Sequence, residues 1–84
     1  MGISAEELVA RASFLYADDQ LDEARAAMEE AFIAFRDVGD LRAAARTAAR
    51  IGELHAGSFG NEAAGRGWLE RGRRLLAEAG PCVE

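Results

Sequence analysis

The chain contains one cysteine, one proline, one histidine, one tryptophan, one tyrosine and, although ten residues are basic, no lysine. Each scarcity excludes something. A lone Cys82 has no partner for an internal disulfide and fits no zinc-ligand spacing, so it is either a reactive or intermolecular thiol or an idle one. A lone Pro81 leaves every earlier segment free to be helical. No apolar run approaches about 18 residues and no basic-then-apolar opening is present, so neither a membrane span nor a signal peptide is expected, and the cytoplasm is the expected location. The opening Met1-Gly2 is not a myristoylation site, because Glu6 stands where serine or threonine is needed. A net charge of −5 lacks the positive footprint that phosphate binding requires, so direct nucleic-acid contact is not expected.

What is present is a single small domain of 84 residues, near the lower limit for a core without disulfides or metal. Half of it is hydrophobic, but much of that is alanine, which packs helices closely while burying little area. Charge is uneven: residues 1–40 balance at −7 and residues 41–84 at +2. Oppositely biased halves attract each other or a second copy, unless both are ordinary solvated faces.

Hydrophobic periodicity predicts four helices. Ser4 and Glu7 form a capping box that starts the first, whose face carries Leu8, Ala12, Leu15 and Tyr16, with Val9 at its edge. Phe14 falls off that face and is either an exposed anchor or a contact to something outside this chain. Asp18-Asp19 is expected to close this helix and cap the next. From Asp19 to Gly39 the apolar residues Leu21, Ala24, Met28, Ala31, Phe32, Phe35 and Val38 keep one helical stripe. Gly39 then reads as a left-handed C-terminal cap and Asp40 as the N-cap of a third helix, Leu41 to about Ala56, which is nearly paved with alanine. Gly57 to Asn61 reads as a loop with Phe59 tucked inward and Asn61 capping a fourth helix. That helix, Glu62 to about Ala79, is expected to bury Trp68, Leu69, Gly72, Leu75 and Leu76 and to stop at Gly80-Pro81. The fold class is all-α: four antiparallel helices in two hairpins, hairpin one over 4–39, hairpin two over 40–80, and a tail at 81–84.

The two hairpins are related. Ala24, Met28, Ala31 and Phe35 align with Gly65, Leu69, Gly72 and Leu76 at an offset of about 41 residues, within the range of helical-hairpin repeats. Hairpin one resembles a tetratricopeptide repeat, except that Arg36 replaces the proline that closes the usual unit. A broader likeness rests on the run Asp37 to Arg46, on Gly60-Asn61-Glu62-Ala63-Ala64, and on Gly67-Trp68-Leu69-Glu70-Arg71 with Arg73-Arg74-Leu75-Leu76. These resemble the degenerate tetratricopeptide-like arrays of actinobacterial regulators, many ending in a LuxR-type helix-turn-helix and some carrying nucleotide-cyclase or ATPase domains. An arginine-only basic set beside abundant alanine and glycine also resembles the composition of GC-rich bacteria. The resemblance implies either a fragment of such a regulator or a short stand-alone relative. No helix-turn-helix is present, so DNA binding does not carry over.

The residues offer little catalytic chemistry. His55 near Ser58 makes a Ser-His pair conceivable, yet no oxyanion loop or buried acid accompanies it, and a helix-terminal histidine is the plainer reading. The acidic doublets Glu6-Glu7, Asp18-Asp19 and Glu29-Glu30 suit helix starts better than a dyad. One imidazole holds no metal, and the glycines follow no strand and precede no lysine, so no phosphate cradle forms. No cofactor, metal or catalytic residue is expected. Arg42, Arg46 and Arg50 recur every fourth residue and present guanidinium forks to an acidic segment or simply a solvated face. Glu62 with Arg66 and Glu70 with Arg74 are expected helix-surface pairs. Two repeats leave unfinished apolar sides, which implies a protein or peptide partner, foremost a second copy forming a symmetric dimer, with Phe14, Tyr16 or Trp68 as aromatic anchor. The alternative is small-molecule sensing between the hairpins; a small hydrolase using His55 ranks below it.

Overall fold

A computed structural model describes residues 3–79. Four helices run in order: α1 (Ala5–Ala17), α2 (Leu21–Asp37), α3 (Leu41–Glu53), continued by a π-helical turn (Leu54–Ser58), and α4 (Glu62–Ala79). The fold is all-α, with the helices arranged as two antiparallel hairpins. Gly80-Pro81 and Cys82, to which the sequence assigns a helix stop and a thiol, lie outside the described residues.

Local chemistry sets each boundary. Ser4 and Glu7 form the reciprocal capping box of α1, the Ser4 amide reaching Glu7 Oε1 at 2.9 Å and the Glu7 amide reaching Ser4 Oγ at 3.1 Å. At the α1–α2 turn the structure departs from expectation. Asp19 does not cap α2; it adopts a left-handed backbone with φ of 65°, and Gln20 takes the N-cap place without a side-chain bond. The Gln20 amide donates to the Leu15 carbonyl at 2.8 Å and the Asp19 amide to that of Tyr16 at 3.1 Å. A chain reversal this tight needs one left-handed residue, and aspartate is among the few non-glycine types that tolerate it. Gly39 repeats the motif between α2 and α3 with φ of 82°, and Asp40 Oδ1 then accepts from the Ala43 amide at 3.2 Å.

The helix α3 lies in the middle. It packs on α2 along one flank and on α4 along the other, while α1 packs on α2. Ala43, Ala44, Ala45, Thr47, Ala48, Ile51 and Gly52 are all buried, and the Thr47 hydroxyl is satisfied by the Ala43 carbonyl at 2.8 Å. The α3–α4 contact is backbone against backbone. A methyl added at Gly65 would lie 2.8 Å from the Gly52 carbonyl oxygen, and one added at Gly52 would lie 2.9 Å from that of Gly65. Seven residues further along α4, a methyl at Gly72 would lie 3.1 Å from the Ala45 carbonyl oxygen. The pairing of 52 with 65 and of 45 with 72 fixes the antiparallel register.

Helix three proves shorter than expected, ending at Glu53. The next five residues widen into a π-turn closed by the Phe59 amide on the Leu54 carbonyl at 3.1 Å. The turn explains the spacing of the repeat. Ser4 and Asp40, the caps of the first helices of the two hairpins, are 36 positions apart, whereas Ala24 and Gly65 in the second helices are 41 apart. The five-residue difference equals the length of the π-helical segment, which continues the first helix of hairpin two after α1 and α3 have run the same thirteen residues.

Several stripe residues expected inside are not. Val38, the C-cap of α2, is 78% exposed, and Tyr16, one residue before the end of α1, is 51% exposed. Leu69 and Leu76 are 38% and 48% exposed, although their counterparts Met28 and Phe35 are half-buried and buried under α3. No described element covers α4 in the way that α3 covers α2. The expected Glu62–Arg66 and Glu70–Arg74 pairs do not form among the described residues; Arg73 takes Glu70 at 3.5 Å instead, and Arg25 pairs with Glu29 at 3.2 Å.

The close approach predicts opposite outcomes for chemically identical substitutions. Gly65→Ala forces the helices apart and lowers stability by about 1–3 kcal/mol despite better helix propensity. Gly67→Ala, with open space within 4 Å, raises it by about 0.5–1 kcal/mol. Thermal melts of the two variants, read by circular dichroism, check both signs.

Candidate functional site

Since α1 and α3 both lean on α2 and share no comparable interface with each other, a trough runs between them with α2 as its floor. Its two segments share Arg50 and have volumes of about 410 and 220 Å³. The α1 wall is built from Glu6, Val9, Ala12, Ser13, Tyr16 and Ala17, the floor from Ala24, Met28 and Phe35, and the α3 wall from Ala43, Arg46, Thr47, Arg50, Glu53 and Leu54. Short side chains on the facing walls, chiefly Ala12, Ser13, Ala17 and Ala43, keep it open. From Glu6 to Ala17 the α1 wall extends roughly 17 Å at 1.5 Å per residue.

The trough is apolar below and charged at the rim. Arg46 and Arg50 are exposed and form no ion pair among the described residues. Glu6 and Glu53 stand toward opposite ends, and the Tyr16 ring flanks the larger segment. A groove of this kind can desolvate apolar side chains while offering planar, bidentate guanidinium donors to a carboxylate.

The six partner-binding candidates divide accordingly. Tyr16, Arg46 and Arg50 come together in the trough. Arg42 is half-buried and engaged with a neighbour. Phe14 is 78% exposed on α1 and lines no part of the trough. Trp68 lies in a separate cluster, its ring edge-on to Phe32 of α2 with centroids 5.2 Å apart. The Arg71 guanidinium covers Trp68 at 4.6 Å and Phe32 at 5.7 Å, and Arg36 approaches Phe32 at 5.6 Å. This cluster ties α4 to α2, contacts worth about 0.5–1 kcal/mol for each exposed cation over a ring. His55 packs against Phe59, ring centroids 5.7 Å apart, and its ring makes no hydrogen bond among the described residues. No group of three or more histidines, cysteines or acids among the described residues is placed to hold a metal ion.

Sequence reasoning missed the trough floor and the serine and alanine wall of α1. The signal was the run of small residues at 12, 13 and 17 on the side of α1 opposite Arg46 and Arg50, which reads on paper as mere helix packing.

The two clusters differ in what they support. Phe32→Ala, at a position 2% exposed, should cost about 3–5 kcal/mol, enough to unfold much of a domain this small. Arg50→Ala should change stability by less than about 0.5 kcal/mol. Urea titrations of both variants check the separation between a structural residue and a surface residue free for other work. Comparison of the chain with family models, with curated proteins and with solved structures yields no match.

Proposed function

We propose that this chain is a protein-interaction module, tetratricopeptide-like in plan, which holds a short segment of a partner protein in the trough between α1 and α3. The carrying observation is the pairing of an apolar floor, Ala24, Met28 and Phe35, with two exposed arginines at the rim, Arg46 and Arg50, that form no ion pair among the described residues. An exposed guanidinium beside a concave apolar surface is a ready donor to a carboxylate whose neighbours are apolar. A wall of roughly 17 Å accommodates about five residues of extended chain at 3.3 Å each. The occupant is therefore a short peptide with a central acid between apolar side chains.

The proposal agrees with the setting that the sequence resembles, the repeat array of a LuxR-type regulator, where such a module would contribute contacts and leave DNA binding to another domain. A second reading, small-molecule sensing, draws on the larger segment of the trough, whose volume of about 410 Å³ lies in the range of ligand pockets. The peptide reading is preferred because the trough continues past that segment along α3 toward Ala43. Hydrolysis through His55 finds no support in the packing of its ring against Phe59.

Selection of a random peptide library against the immobilised chain tests the proposal. Enriched peptides should carry Asp or Glu flanked by apolar residues, should lose binding at least tenfold to Arg50→Ala, and should be excluded by Ser13→Trp, which fills the trough from an exposed position on its wall. Enrichment indifferent to both substitutions would refute it.

A further inference from the structure

The two segments of the trough differ in what they can hold. The larger, about 410 Å³, is lined by Tyr16, Met28, Arg50 and Leu54 and kept open by Ala17. Three of these groups favour a flat ring over a saturated chain. The Tyr16 phenol packs edge-on or offset against another ring, the half-buried Met28 thioether meets a ring edge, and the Arg50 guanidinium meets a ring face. The smaller segment, about 220 Å³, is closed by Val9, Phe35, Ala43 and Thr47 and suits a branched aliphatic side chain. Charge is ordered along the same line. Glu53 stands at the larger segment, Arg50 is shared by both, Arg46 lines the smaller, and Glu6 stands toward its far end. All four are exposed, and none forms an ion pair among the described residues.

Resting on the reading of the trough as a peptide site, we infer that its occupant places an aromatic side chain in the larger segment, an aliphatic one in the smaller and its acid between the two. The α3 residues that line the two segments centre about 9 Å apart at 1.5 Å per residue, a span of two or three residues of extended chain. The acid then falls on a residue between the two anchors, where Arg46 and Arg50 can donate to it. Moved outward past either anchor, an acid meets Glu53 or Glu6 and is repelled. The two glutamates thus set the register by exclusion, and a basic residue suits the position beyond the aromatic one.

Fluorescence anisotropy of the full chain with labelled synthetic peptides built on Lys-Trp-Asp-Leu, and on the reverse order Leu-Asp-Trp-Lys, tests the inference. One order should bind saturably. Alanine in place of the tryptophan should weaken it at least tenfold, and asparagine in place of the aspartate likewise. Ala17→Phe, at an exposed position on the wall of the larger segment and checked for helicity by circular dichroism, should bring the tryptophan peptide down to the alanine one while the preference for aspartate persists. Glu53→Arg should raise severalfold the affinity of a peptide with glutamate in place of lysine. Binding that needs the aspartate and Arg50 but ignores the loss of tryptophan, or a tryptophan preference untouched by Ala17→Phe, would overturn the inference and leave the peptide reading standing. Failure of both orders to bind would overturn it too, and the random-library selection then decides whether the trough takes peptides at all.

Discussion

The backbone contact between Gly52 of α3 and Gly65 of α4 governs the rest of the structure. Carbonyl oxygens that would stand 2.8 and 2.9 Å from added methyls mean that the two helices meet with nothing between them, and Gly72 against Ala45 continues the seam. Because five of the thirteen residues of α3 are alanine, it also packs on α2 along its other flank. A thin core results, in which large side chains are few. Among the described residues, Phe32 and Ile51 are the largest that are fully enclosed. Stability then depends more on many short-range contacts between backbones than on the area of any one side chain.

The same economy produces the surface features. A helix pair drawn together by small residues leaves little to fill the neighbouring space, and the trough between α1 and α3 is that space. Its floor is the strip of α2 left between the two helices that pack on it, and its rim charges are residues that the core has no need of. On the opposite side, α2 and α4 are spanned by the Phe32–Trp68 pair beneath two guanidinium groups, which closes that face. The module therefore has one concave face left open and one sealed by aromatic contact.

Much of the architecture was legible in the sequence because it rests on local chemistry. The Ser4–Glu7 box, the Gly39 turn and the Asp40 cap are decided by residues within a few positions of one another. Other features were not legible, for physical reasons. Asp19 has the composition of an N-cap and the job of a C-terminal turn, a choice made by the tightness of the reversal and not by the residue. Leu69 and Leu76 keep the hydrophobic period of a buried stripe, but period reports what a helix could bury and not whether a neighbour is there to cover it. A space between the hairpins was open to the sequence as an alternative, but its lining was not legible for a related reason: it is made of the gaps between alanines and serines, and pattern analysis counts side chains rather than the space they leave.

The claim on which all of this depends is the backbone seam between α3 and α4. The direct measurement is the set of nuclear Overhauser contacts in solution between the α-protons of Gly52 and Gly65, and between Ala45 and Gly72. The account predicts both contacts, with the 52–65 cross-peak among the strongest between the two helices. If neither appears while both segments remain helical, the helices do not meet in this register, and the trough and the open face of α4 lose their basis.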